Sequence, residues 1–251
     1  RTHEGLFQNS LMEAGLNKYL FEMANIRDQC SWVHRTEPDK ATAKARELIA
    51  MSVARAAVLE PLREIPFEIS QKALVIGGGV AGMTAALLLA EQGFSTYLVE
   101  REAEMGGNAR HLRFTLESSE VQGFVGGLIR QVESHPLITV FKGAELTDHT
   151  GFVGKFTTTI TVGGEEKRVE HGATIVATGG QEYKPTEYLY GEHPHVLTQR
   201  EFHRLLAEAD PEVLKARSVV MIQCVGSRDE EHSYCSRVCC GQAIKNALKL
   251  K

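Results

Sequence analysis

The chain has 251 residues, 43% of them apolar, and its 28 Lys and Arg against 32 Asp and Glu give a formal charge of −4. That size suits one large domain or two ordinary ones, and that composition excludes a disordered chain. The charge lacks the basic surplus of a nucleic-acid binder. The longest mostly apolar stretch, about Val80 to Leu89, is too short to span a bilayer, and residues 1–15 carry no apolar signal-peptide core.

Residues 1–60 read as helical. Leu11, Gly15, Leu16, Tyr19, Leu20 and Met23 recur at helical spacing, and Pro38 and Asp39 open a second helix, roughly Asp39 to Leu59. The two prolines of Glu60–Pro66 mark a linker. Ala73–Ile76 then reads as a short buried strand, followed by a glycine loop, an apolar helix from about Gly82 to Gln92, and a second strand, Ser95–Glu100. Thr139–Phe141 and Phe156–Val162 are strand-like, with Gly163-Gly164 turning into Lys167–Val169. A strand from Ala173 ends in Gly179-Gly180, Gln199–Ala209 looks helical, and Ser218–Gln223 reads as one more buried strand. The chain stops at Lys251 inside a helical pattern, Gln242 to Lys251, and starts at Arg1, so it reads as a piece of something longer. Three parts are expected: a helical segment over residues 1–66, a dinucleotide-binding domain over 67–217, and the start of a second α/β unit over 218–251.

The loop Gly77-Gly78-Gly79-Val80-Ala81-Gly82 fits G-x-G-x-x-G, follows a strand and opens a helix. Gly77 permits the tight turn, Gly79 lets the backbone approach a pyrophosphate, and Gly82 lets helix and strand pack closely. Free N–H groups at the helix start favour the phosphate charge. Glu100, eighteen residues after Gly82 and followed by Arg101, can accept hydrogen bonds from ribose hydroxyls. The pair Gly106-Gly107 and the strand end Ala177-Thr178-Gly179 resemble the FAD domain of the thioredoxin- and glutathione-reductase group. The expected fold is therefore α/β, a Rossmann-like FAD-binding domain of the two-dinucleotide flavoprotein type. NAD in this site is the alternative.

Five cysteines separate into Cys30 and the set Cys224, Cys235, Cys239 and Cys240, which lie within seventeen residues. An odd count so clustered argues against a disulfide framework. Four thiolates suit an iron–sulfur cluster or a tetrahedral zinc site, although they do not form the two C-x2-4-C knuckles usual in structural zinc sites. A redox disulfide pair is a further reading. In a two-dinucleotide flavoenzyme the second domain, with its own glycine loop for NAD(P)H, would begin here; cysteines occupy that turn instead.

The Arg1–Glu4 and Asn25–His34 segments, the glycine loop, Ala177–Pro185, Gln223–Arg228 and Tyr234–Cys240 together resemble the A subunits of heterodisulfide reductases. The resemblance implies a cytoplasmic flavoprotein subunit carrying FAD and [4Fe–4S] clusters, with electron pairs split at the flavin. It implies partner subunits that include a hydrogenase or formate dehydrogenase. It also implies that Cys224, Cys235, Cys239 and Cys240 ligate a cluster near the flavin and that Cys30 belongs to an N-terminal cluster. Two other functions stay open: an NAD(P)H-dependent flavin disulfide reductase, and a scaffold with structural zinc that binds a partner through residues 1–60.

Overall fold

The computed structural model describes residues 3–117 and 119–251. The chain divides into two units, Arg1–Phe67 and Glu68–Lys251.

In the first unit, α1 (Glu4–Glu13) ends where Gly15 turns to a φ of +78°. The continuous helical pattern expected through Met23 is therefore broken, because glycine adopts the left-handed conformation at no steric cost. Residues 14–26 run through turns, with Phe7 stacked on Phe21 and Asn17 donating to the Leu62 carbonyl at 2.7 Å. A single π-helical turn, Arg27–Ser31, leads to α2 (Pro38–Ala56), which starts with proline in its first turn. Residues 57–71 carry no helix or strand, in keeping with their prolines.

The second unit is built in layers. Strands β1 (Lys72–Ile76), β2 (Ser95–Glu100), β3 (Ile138–Lys142) and β7 (Ala173–Val176) form a parallel sheet in the order β3-β2-β1-β7. Strands β4 (Ala144–Phe152), β5 (Lys155–Val162) and β6 (Glu165–His171) form an antiparallel sheet. Helices α3 (Val80–Glu91) and α4 (Val121–Ser134) cover one face of the parallel sheet, with Val75, Met83, Ala86, Leu98 and Val132 between the layers. On the other face Leu74 and Val99 meet Ala144, Ile160 and Val169 of the antiparallel sheet. Strands buried on both faces need continuous apolar runs, which Ala73–Ile76 supplies. Each fully buried aliphatic side chain here contributes about 1.5–3 kcal/mol.

Helices α5 (Gln199–Ala207), α6 (Pro211–Leu214) and α7 (Cys239–Leu250) share a third cluster of Phe114, Phe202, Leu206 and Val213. Thr198 opens α5 with a reciprocal cap: its hydroxyl accepts from the Glu201 N–H at 3.2 Å, and its own N–H donates to the Glu201 carboxylate at 2.7 Å.

The strand expected at Ser218–Gln223 does not form. The segment carries no helix or strand, and Val220 is 82% exposed. A strand requires a neighbouring backbone, and among the described residues β7 is paired only with β1. Helix α7 starts at Cys239 instead of near Gln242, so Cys239 and Cys240 lie in its first turn.

Candidate dinucleotide and thiol site

The glycine turn follows β1 and opens α3, and its three motif glycines occupy three different environments. Gly77 has φ +110°, and a Cβ there would lie 2.3 Å from the Ala177 carbonyl oxygen. A Cβ at Gly82 would lie 1.8 Å from the Gly77 oxygen. At Gly79, the N-cap of α3, a Cβ would meet nothing within 4 Å. The first and third glycines thus pack the turn against β7 and α3, while the second leaves open space at a helix N-terminus. That cradle fits a pyrophosphate, whose charge the free N–H groups of the α3 N-terminus favour. Val80 packs towards the core and Ala81 is exposed.

Glu100 ends β2 buried. One carboxylate oxygen accepts from the Gly78 N–H at 2.7 Å and the other from the Glu102 N–H at 2.8 Å. Two backbone donors thus hold the acid in place, with lone pairs left over for a ribose. Gly78 is not a motif glycine, yet a Cβ there would meet the same Glu100 oxygen at 2.8 Å. The third consecutive glycine, beyond what the motif needs, was its signal. Arg101 pairs with Glu102 at 3.3 Å.

Gly106 and Gly107 lie against the glycine turn. Gly106 forms a parallel bridge to Gly79 and donates to the Gly78 carbonyl at 2.7 Å, and a Cβ on Gly107 would meet the Gly79 Cα at 3.1 Å. On the other side the Ala177 N–H donates to the Ile76 carbonyl at 2.8 Å, and Thr178 and Gly179 continue exposed. The chain leaves β1 towards β2 and β3 and returns to β7 on the opposite side. The glycine turn therefore sits at the topological switch point of the sheet, where doubly wound folds bind ligands.

The C-terminal thiols come from one loop and the first turn of α7. A backbone hydrogen bond from Cys224 and then one from the Ser236 hydroxyl hold the Cys239 thiol below its usual range. The Cys240 thiol is held above its usual range, first by Cys239 and also by Cys224 and Cys235. The Arg237 N–H donates to the Cys235 sulfur at 3.3 Å. Among the described residues no three or more His, Cys, Asp or Glu are gathered to hold a metal ion. Four thiols fit an iron–sulfur cluster by donor chemistry, and a four-iron cluster takes each thiolate on a different corner. Cys30 belongs to the other unit. It lies in the first unit, buried, and donates to the Ala41 carbonyl at 2.8 Å.

The pyridine nucleotide-disulphide oxidoreductase profile matches residues 71–222, from just before β1 to beyond α6. The chain belongs to that family. The fold described above is the α/β, Rossmann-like FAD-binding type expected from the sequence. Among curated proteins, the chain is 34% identical over 343 residues to the A subunit of the ferredoxin/F(420)H(2)-dependent CoB-CoM heterodisulfide reductase of Methanosarcina acetivorans, covering 100% of this chain and 43% of that one. It is 33% identical over 342 residues to the A subunit of the H(2):CoB-CoM heterodisulfide,ferredoxin reductase of Methanothermobacter marburgensis, covering 100% and 52%. It is 32% identical over 347 residues to an iron-sulfur A subunit of the CoB–CoM heterodisulfide reductase of Methanopyrus kandleri, covering 100% and 52%. These relatives bear out the resemblance to heterodisulfide reductase A subunits. The chain spans about half the length of the curated relatives it matches. No helix among the described residues is long and apolar enough to cross a membrane.

Proposed function

We propose that this chain is the flavin-binding part of an iron–sulfur oxidoreductase subunit, which binds FAD at the glycine turn and carries a [4Fe–4S] cluster on Cys224, Cys235, Cys239 and Cys240. The observation that carries the reading is the division of labour among Gly77, Gly79 and Gly82, two packed tight and one open. When bound, FAD exchanges electrons in pairs or singly. The chain's own groups do the holding. The α3 N-terminus and Gly79 receive the pyrophosphate, and Gly106, Gly107, Ala177, Thr178 and Gly179 flank it. Glu100 accepts from ribose hydroxyls and repels a 2′-phosphate, which disfavours NADP at this turn.

In this reading Cys224, Cys235, Cys239 and Cys240 would hold the cluster, which would supply single-electron chemistry beside the flavin. Support comes from the four-thiol donor set and from the iron–sulfur name of the Methanopyrus relative. The names of the relatives also support assembly with other heterodisulfide reductase subunits. In that assembly a hydrogenase or formate dehydrogenase would deliver the electrons, and the flavin held at the glycine turn would supply the splitting of electron pairs. A cytoplasmic location belongs to the same reading.

The test is anaerobic purification of the full-length protein, followed by flavin, iron and acid-labile sulfide assays with visible and EPR spectra. FAD together with iron and sulfide is the expected result. Stoichiometric zinc without sulfide, or flavin reduction by NAD(P)H with a disulfide as the only other redox group, would overturn it.

A further inference from the structure

This inference rests on the flavin reading above and deepens it. Asn108 follows Gly106-Gly107 on the β2 side of the glycine turn, and Gly180 follows Ala177–Gly179 on the β7 side. Across the 72 residues between them, the Asn108 amide nitrogen donates to the Gly180 carbonyl at 2.8 Å. The Asn108 oxygen accepts from Arg200 Nη2 at 2.5 Å, and Arg200 Nε lies 3.3 Å from the Glu182 carboxylate. These partners fix the amide's orientation. Reversed, it would aim its NH2 at a guanidinium and its oxygen at a carbonyl.

Packing does little to hold the β7 side of this crevice. A Cβ at Gly179 or Gly180 would meet nothing within 4 Å, and Gly179 has φ +67°. The loop that must lie along a bound cofactor is thus tied to the opposite wall by a side-chain hydrogen bond. Arg200, at the start of α5, orients the side chain that makes it. We infer that Asn108 is a positioning residue: with Arg200 it clamps the two walls of the FAD crevice together over the glycine turn and so limits cofactor release.

The clamp is tested on full-length, anaerobically purified protein. FAD release is followed by recovery of flavin fluorescence, and the flavin's visible band is recorded for wild type, Asn108→Asp, Asn108→Ala and Arg200→Lys. Asn108→Asp keeps an acceptor for Arg200 but sets a carboxylate oxygen against the Gly180 carbonyl. Asn108→Ala removes both bonds without adding charge. Losing one such bond changes an equilibrium or rate by about tenfold. The expected result is FAD release about tenfold faster in both Asn108 variants, with a shifted visible band and an unchanged thermal midpoint of the apoprotein. Arg200→Lys is expected to fall between them and wild type. Wild-type release rates and spectra in both Asn108 variants would overturn the clamp and leave the flavin reading standing. A wild-type protein that takes up no FAD would overturn both.

Discussion

Gly82 presses so closely on Gly77 that a Cβ added to it would lie 1.8 Å from the Gly77 carbonyl oxygen. Backbone stands on both sides of that contact, so no side-chain rotation relieves it. Gly82→Ala is expected to destabilise the second unit by about 1–3 kcal/mol or more, as overpacking does. Urea unfolding of the variant measures it, and a wild-type midpoint would refute the tight packing.

Lys245 provides a pH signature away from the glycine turn. His203 accepts from the Arg113 N–H at its Nε2 at 2.8 Å, so its neutral ring carries the proton on Nδ1. Nδ1 lies 3.3 Å from the Asn246 oxygen and 2.8 Å from Lys245 Nζ, which also donates to the Phe114 carbonyl at 3.4 Å. Burial lowers the Lys245 pKa from 10.5 to about 8. Between those values the unfolded chain binds the extra proton, so stability rises with pH across that window, by up to about 1.4 kcal/mol per unit, and gains nothing from this group below it. Denaturant midpoints measured from pH 7 to 10.5 are expected to climb in wild type and to lose that rise in Lys245→Met. A Lys245→Met curve that climbs just as steeply would exclude the uncharged lysine.

The thiols are expected to differ in reactivity when no metal is bound. The hydrogen bonds from Cys224 and Ser236 favour the Cys239 thiolate, while Cys240 is disfavoured by the Cys239 sulfur beside it. Cys30 is 2% exposed. Timed alkylation of metal-free protein at neutral pH, read by peptide mass, is expected to label Cys239 first and Cys30 last. Ser236→Ala is expected to slow Cys239. Equal labelling of Cys239 and Cys240 would contradict the asymmetry.

The parts of the fold legible in the sequence are those specified by local signals. β1, the glycine turn and β2 fall within a few residues of their expected bounds, because apolar runs, glycines and a closing carboxylate lie next to one another. The Gly163-Gly164 hairpin follows from two residues that both take positive φ. Helix α4 has a weak sequence signal because Gly123, Gly126 and Gly127 depress its helix propensity. It forms because Val125, Leu128 and Val132 bury one stripe against the sheet. Strand β4 carries mostly exposed residues, and its pairing with β5 is a long-range fact. Ser218–Gln223 shows the converse: a good strand pattern stays unpaired when no neighbour offers hydrogen bonds. In the site, the motif glycines and Glu100 were legible from spacing. Asn108 and Arg200 were not, since their pairing spans 92 residues and follows no motif.

In the proposed function the open face at Gly79 is a cofactor's phosphate seat. Gly79 has φ −74° and ψ 179°, which alanine adopts freely, and its Cβ would meet nothing within 4 Å. FAD titration of apoprotein, followed by flavin fluorescence for wild type and Gly79→Ala, tests this directly. Wild type is expected to bind one FAD, and Gly79→Ala to bind at least about tenfold more weakly while melting at the wild-type temperature. Equal FAD affinity in the two proteins, or a wild type that binds NADH but not FAD, would contradict it.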